Sequence, residues 1–499
     1  MFRLEKTKIV KSKIVCTIGP ATNSEENLKK LVELGCDLMR LNFSHASKDE
    51  QVMIDLFNRI RKCCPETAIL CDIQGPKIRI GMLQDRVYLK TGEKFRIHIN
   101  EMVGNEKECS ISYKGFINDI KKGSFIFIND GLVRLQALEI NKEKGYADFE
   151  VTAGGEISSK KGVNIPEGEL STRNPTEKDI KDLKLIAKLY PEYVAASFVA
   201  NAREVREIRA ILANGGASNV KIISKIERPV ALKNFDEILK ESDGIMVARG
   251  DLGVEIPAED VPRWQKMMIK KCNQAGKPVI VATQMLESMI QNPVPTRAEV
   301  NDIYNAINDR SDAVMLSGET SVGKYWQEAV SYMSTIAAKA EKFIPEQDPD
   351  AFDSDDQEVF ETAGHAIYTI TKEFIAIGYR AKCVVFTRSG RTARLIAKYR
   401  PKFPILAISN DIQVVRQLKL VWGVIPIHLN MDMDKDIESI IKEGIKQLVE
   451  FGFLGRTEYA IVSLPSRLAE TRNPVIGLYY PEDLLVNIEI QQKQYKIEG

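Results

Sequence analysis

The chain has 499 residues, is 44% apolar and 28% charged, and carries a formal net charge of +1. That length exceeds one compact core and predicts about two to four domains. The near-neutral charge excludes a global pull toward nucleic acid or an anionic membrane, and no apolar run reaches the roughly 20 residues that span a bilayer. The N-terminus, MFRLEKTKIVKSKIV, lacks the long apolar stretch of a secretory leader. Eight cysteines without a Cys-x-x-Cys pair predict reduced thiols, a cytoplasmic setting and no structural zinc. Four histidines make a histidine-based metal site or triad a poor fit, so the chemistry falls to Lys, Arg, Asp, Glu, Ser and Thr.

In chain order, eight short apolar runs each end on polar residues: KIVCTIGP (13–20), CDLMRLNFS (36–44), AILCDIQGP (68–76), YVAASFV (193–199), VKIISKIE (220–227), DGIMVARGD (243–251), PVIVATQM (278–285) and DAVMLSGE (312–319). Nearly continuous apolar runs of this length read as strands buried on both faces. Between them SEENLKKLVELG, NAREVREIRAILANGG and TRAEVNDIYNAIND show helical periodicity, with Ser24 as a start signal and Gly35 as a stop. Eight strands alternating with helices predict an α/β chain built on a closed (β/α)8 TIM barrel, with a doubly wound open sheet as the alternative. In a barrel the polar run-ends line the C-terminal mouth.

Between the third and fourth runs the sequence reads VYLKTGEKFRIHI, SFIFINDGLVRLQALEI and YADFEVTAGGEISSKKGVNIP, alternating segments with tight-turn signals. They predict an inserted small β-barrel, placed to act as a lid. Beyond a long helix near 322–343, the acidic linker IPEQDPDAFDSDDQE precedes CVVFT, PILAIS, VIPIHL, YAIVSL and VIGLYY, a C-terminal α/β domain. The predicted division is a barrel over 1–75 and 171–343, an insert over 76–170 and a tail domain over 344–499.

Glu227 and Asp251 end consecutive runs and could hold Mg2+ or Mn2+ at the mouth; read singly, each could be a helix cap or a loop acid. Lys225, two residues before Glu227, lies on the same strand face, facing a transferring phosphoryl group or forming a salt bridge to Glu227. Arg40, Arg79 and Arg249 suit a phosphorylated acid, although any one could serve a surface ion pair. Thr283, Ser317 and Glu319 end the last two runs; the hydroxyls could relay a proton through water or orient a substrate, and each residue read alone could be a helix N-cap. Asp130 reads as a hairpin turn and Lys161 as a solvated charge. TRSGRTAR (387–394) offers hydroxyls, glycine and arginines as either an anion site or a plain strand-to-helix turn.

Together KSKIVCTIGPAT, MRLNFSH, CDIQGPKIRIG, KKGVN, KIE, DGIMVARGDLGVEI, ATQML, PTRAEVNDI and DAVMLSGET closely resemble the pyruvate kinases, from near residue 8 to the C-terminus. The resemblance implies phosphoryl transfer from phosphoenolpyruvate to ADP, giving pyruvate and ATP. It implies Glu227 and Asp251 as divalent-metal ligands, and Lys225 and Arg40 as phosphoryl contacts. Ala248, Arg249, Gly250 and Asp251 with Thr283 resemble the substrate pocket, and Thr283 and Ser317 the network that protonates enolpyruvate. Pro20, His45, Arg79 and Lys161 resemble nucleotide contacts. The resemblance also implies a homotetramer, and a phosphorylated allosteric effector on Thr387, Arg388, Ser389, Gly390, Arg391 and Thr392. At the potassium-site positions Asn42, Ser44 and Asp72 remain, but Ile73 replaces a hydroxyl residue and Lys77 a glutamate. That departure predicts activity without K+, the Lys77 ammonium supplying the charge. The segment SLPSRLAETRN departs from the glycine-rich loop of members activated by fructose 1,6-bisphosphate, which leaves the effector unspecified. The competing enzyme reading is a metal-dependent aldolase or mutase on a similar barrel, and the competing non-enzyme reading is an inactive metabolite sensor.

Overall fold

The computed structural model describes residues 10–44, 50–166, 171–345, 359–465 and 474–485. The eight apolar runs form eight parallel strands: β1 (Lys13–Thr17), β2 (Leu38–Asn42), β3 (Ala68–Asp72), β4 (Tyr193–Ala196), β5 (Lys221–Ile226), β6 (Gly244–Ala248), β7 (Val279–Ala282) and β8 (Ala313–Leu316). They close into a barrel in chain order, sealed where Lys13 of β1 pairs with Ala313 of β8. The closed barrel, and not the open sheet, is the architecture.

Alternation along each strand sorts the side chains into two apolar layers. Val15, Leu38, Leu70, Tyr193, Ala195, Ile223, Met246, Ile280, Ala282 and Met315 pack inside the ring. Their neighbours Ile14, Cys16, Met39, Leu41, Ile222 and Val281 face outward against the helices. Side-chain period two in a closed sheet requires this split. Each large apolar side chain so buried contributes about 1.5–3 kcal/mol. The predicted helices form over Glu25–Glu33, Ala202–Asn214 and Arg297–Asn308. Ser24 accepts from the Asn27 N–H at the start of the first, and Gly35 follows its end with φ of 113°, a conformation glycine adopts without strain.

The insert differs from the small closed barrel expected. Six strands lie in one open sheet, in the order Val163–Asn164, Phe125–Ile128, Val133–Asn141, Tyr146–Ala153, Lys94–His98, Glu108–Ser110. Val87–Leu89 pairs separately with Gly155–Ile157. The edge strands are two and three residues long, and the pairing of Lys94–His98 with Glu108–Ser110 is parallel. Edges so short and unlike in direction offer no ladder along which the described strands could close. Asn-Asp-Gly makes the predicted tight turn, with positive φ at Asn129, Asp130 and Gly131.

In the tail, five strands form one sheet in the order Val424–His428, Ile405–Ser409, Ala381–Phe386, Tyr459–Pro465, Pro474–Tyr479, the last antiparallel. This domain plugs the barrel's N-terminal end. Leu420 joins the apolar interior of the ring. Arg400 Nη2 reaches Asp312 Oδ2 at 2.9 Å and Asn273 Oδ1 at 2.6 Å, and the Trp422 backbone N–H donates to Asp312 Oδ1 at 3.1 Å. No described helix is long and apolar enough to cross a membrane.

Candidate active site at the barrel mouth

The inward alternation, carried one step past the apolar layer, predicts which side chains meet at the mouth. Two residues beyond Val15, Leu38, Leu70, Ala195, Ile223 and Met315 come Thr17, Arg40, Asp72, Ser197, Lys225 and Ser317. The ring of strand ends is therefore polar where the ring below it is apolar.

Asp72 organises one side of the ring. Arg40 Nε donates to Asp72 Oδ2 at 2.7 Å, and Arg40 Nη1 to Thr17 Oγ1 at 3.0 Å. Lys225 Nζ lies 3.4 Å from Asp72 Oδ1, 2.7 Å from Ser197 Oγ and 2.9 Å from Glu227 Oε1. Burial alone would push the Asp72 carboxyl up, but the Lys225 and Arg40 charges outweigh it and hold it below the ordinary range. Burial likewise opposes the Lys225 ammonium, and the Asp72 and Glu227 carboxylates more than restore it. Two cations are thus fixed side by side around one carboxylate. The salt bridge to Glu227, left open as an alternative, is formed, and it leaves the ammonium at the mouth.

Glu227 is 1% exposed. Burial pushes its carboxyl up, Lys225 pulls it back, and the charge of Asp251 adds to the upward push. Two carboxylates close enough to repel each other fit a divalent cation, which their oxygens would hold while leaving positions for a ligand. They are a pair and no more: among the described residues no group of three or more His, Cys, Asp or Glu side chains forms a metal cage. Asp251 Oδ1 also receives Lys77 Nζ at 3.0 Å. The Lys77 stem runs past Gly162 of the insert, where an added Cβ would stand 3.2 Å from Lys77 Cε. Ile73 is buried in the outer apolar layer, and its aliphatic side chain has no oxygen to offer the mouth. Asn42 Oδ1 accepts from the Ser44 N–H at 3.0 Å.

The β6 and β7 ends build the other side. Ala248, Arg249, Gly250 and Asp251 pass from β6 into the helix Arg249–Glu255. The Gly250 N–H donates to Thr283 Oγ1 at 2.8 Å. Thr283 has φ of 71° and Gln284 of 56°. A β-branched residue in the left-handed region carries strain, which tertiary structure must hold in place. Arg249 supplies part of that hold. Its guanidinium turns to Asp302 at 2.7 Å and to the Thr283 carbonyl at 2.7 Å, so it does not converge with Arg40. Ser317 Oγ is buried and has no hydrogen-bond partner among the described residues. Glu319, its carboxyl pushed up by burial, accepts from the Ser317 and Leu286 backbone N–H groups and so ties β8 to the loop after β7.

The remaining expected positions lie around this ring. Pro20 stands beside the β8 end, where the next residue's N–H donates to the Ser321 carbonyl at 3.0 Å. Arg79 and Lys161 are neighbours at the insert's edge: Arg79 bridges to Gly162, and Arg79 Nη1 donates to the Lys160 carbonyl at 3.0 Å. His45 lies outside the described residues, as does most of SLPSRLAETRN. In the tail, Thr387 Oγ1 accepts from the Gly390 N–H at 2.8 Å, Arg388 pairs with Asp434, and Arg391 opens the short helix Arg391–Ala397. The mouth residues that the sequence reading passed over are Ser197 and Thr17. Both end buried runs in the same manner as Lys225 and Ser317, and that periodicity would have found them.

Comparison with known proteins accounts for these features together. The family model described as pyruvate kinase, barrel domain, matches residues 9–330, and that described as pyruvate kinase, alpha/beta domain, matches residues 368–470. A pyruvate kinase of Staphylococcus epidermidis is 42% identical over 457 residues, covering 91% of this chain and 77% of its own. One of Sporosarcina psychrophila is 42% identical over 483 residues, 95% of this chain and 81% of its own. One of Staphylococcus saprophyticus is 44% identical over 444 residues, 88% and 75%. With its barrel, its tail domain and most of its length matched in this way, the chain belongs to the pyruvate kinase family.

Proposed function

We propose that the barrel mouth transfers the phosphoryl group of phosphoenolpyruvate to ADP, giving pyruvate and ATP, with a divalent cation and without K+. The observation that carries this reading is the pair of cations, Lys225 and Arg40, fixed around Asp72 beside the carboxylates of Glu227 and Asp251. A phosphoryl group in transfer spreads negative charge over its equatorial oxygens, so catalysis is chiefly positioning and charge stabilisation. Lys225 and Arg40 supply that charge already oriented. Mg2+ or Mn2+, held by Glu227 and Asp251, would add Lewis-acid charge to the substrate oxygens. Thr283, with the backbone of Ala248, Arg249 and Gly250, receives the substrate carboxylate. Ser317, whose hydroxyl is uncommitted, and Thr283 then position the proton that reaches the methylene carbon of enolpyruvate.

In the same reading Pro20, His45, Arg79 and Lys161 bind the nucleotide, the insert over 76–170 serves as the lid, and the division into barrel (1–75, 171–343), insert and tail (344–499) holds. The tail loop 387–392 takes a phosphorylated effector, and the working assembly is a homotetramer. Lys77 stands where K+ acts in other members: its ammonium sits 3.0 Å from Asp251 and brings a fixed positive charge to the mouth. Turnover coupled to pyruvate reduction, in tetramethylammonium buffer with Mg2+, tests the reading. Pyruvate formation should require ADP and change by less than about twofold on adding KCl, since a charge already present gains little from a second. Pyruvate release without ADP, or a large K+ stimulation, would overturn it.

A further inference from the structure

The insert leaves the barrel through residues 77–80 and comes back through 161–164, and these segments run side by side. The Val163 N–H donates to the Ile78 carbonyl at 2.9 Å, and the Ile80 N–H to the Lys161 carbonyl at 3.0 Å. The stem so formed lies against the seven-residue helix Arg249–Glu255, which continues from β6. Asp251 and Glu255 are four residues apart on that helix, so their side chains share one face, a turn apart. The stem supplies a partner for each. Lys77 on the outgoing segment bonds Asp251 Oδ1 at 3.0 Å, and Asn164 Nδ2 on the returning segment donates to Glu255 Oε1 at 2.8 Å. The insert's turn at 129–131 rests on the same helix, where a Cβ added at Gly131 would stand 3.5 Å from Val254 Cγ1.

Like charges a turn apart on a helix repel each other unless each is answered. Asn164 and Glu255 are 7% and 8% exposed, so water contributes little to that answer. Burial pushes the Glu255 carboxyl up and the charges of Asp251 and Glu227 add to the push, while the Asn164 amide and the charge of Arg228 pull it back. We propose that Asn164 is a positioning residue: through its hydrogen bond to Glu255 it fixes the helix that carries Asp251, and so sets a metal carboxylate from within the insert. Lys77 does not do this alone, because its flexible stem brings a charge to Asp251 without fixing the direction of the helix behind it. The buried amide–carboxylate bond one turn further along does fix that direction, since leaving either group unpaired there is costly. The proposal rests on the reading of Glu227 and Asp251 as the divalent-cation pair. It adds that barrel and insert build the cation site together, the posture of the insert reaching Asp251 through Asn164.

Titration of the full chain with Mn2+ alone, without phosphoenolpyruvate or nucleotide, tests the assignment, the free ion being followed by electron paramagnetic resonance. The parent should bind one ion per chain. Asn164→Ala, which removes no charge, should raise the Kd about tenfold with the number of sites per chain unchanged, the low end of what loss of a ligand's supporting partner costs. Asn164→Ser, whose hydroxyl is too short to reach the carboxylate, should give the same shift while keeping a polar group in the buried stem. In a Glu255→Ala background, Asn164→Ala should alter the Kd by less than about twofold, because the bond is already gone. A Kd unshifted in both Asn164 variants, even with some sites lost to misfolding, would overturn the proposal and leave the metal reading standing. Equal effects of Asn164→Ala in the two backgrounds would overturn it as well. A parent that binds no Mn2+ would overturn the proposal together with the metal reading beneath it.

Discussion

Asp72 accepts from Arg40 and Lys225 at once, and almost no water reaches it, at 2% exposure. Fixing two cations around one carboxylate removes their freedom to reorient, which is what a site for a charge-spreading transition state requires. Lys225→Met should therefore lower kcat at least about a hundredfold while changing the KM for phosphoenolpyruvate less, measured in the coupled assay with saturating Mg2+. A change confined to KM would count against that role. At this scale the sequence was legible where a residue type carries one meaning. Lys225, Glu227 and Asp251 could be read as a group because charged side chains at the ends of buried strands need partners. Arg249 could not be read so, because its guanidinium commits to Asp302 and the Thr283 carbonyl, a long-range choice no local pattern encodes. The left-handed backbone at Thr283 was equally hidden, since threonine seldom adopts it.

The elements around the mouth are held by local devices that the sequence states openly. The helix Arg297–Asn308 starts with a capping box in which Thr296 and Glu299 exchange hydrogen bonds, and Glu299 also accepts from the Ser288 hydroxyl at 2.5 Å and its N–H at 2.8 Å. Burial opposes the Glu299 carboxylate, but these hydrogen bonds prevail and hold its carboxyl below the ordinary value. A group lowered on folding contributes stability above its unfolded pKa of about 4.3 and loses it as pH falls through the folded value. Glu299→Gln should thus cost about 1 kcal/mol at pH 7, seen as a lower urea midpoint. The gap between variant and parent should narrow as the pH is brought below about 4.3, the value of free glutamate. A gap unchanged with pH would mean that the carboxylate charge has no part in the cap. The barrel strands were readable for a similar reason, as each buried run is self-contained. The insert was not, because closure depends on whether distant edges match, and strand edges as short as Val163–Asn164 leave no trace in apolar periodicity.

Across the whole molecule, barrel and tail are joined by a buried charge. Arg400 and Asp312 are 2% and 4% exposed, and Asn273, the Arg310 carbonyl and the Trp422 backbone N–H complete their hydrogen bonds. Removing one partner strands the other charge in an apolar setting, so Arg400→Ala should destabilise the junction by about 3–5 kcal/mol. Calorimetry should then show the tail melting apart from the barrel, where the parent melts with the two more closely coupled; a thermogram like the parent's would count against this role. The barrel seal has a consequence of another kind. Because β1 pairs with β8 through Lys13 and Ala313, β1 leaves the ribosome with no barrel partner on that side until roughly three hundred residues have followed. At about 5–20 residues per second that wait lasts about 15–60 s. During it β1 presents an unpaired apolar edge, the kind of surface on which chains associate with one another. A nascent chain stalled before Ala313 should therefore be a client of holding chaperones, and yield in the cell should respond to how fast the stretch up to β8 is translated.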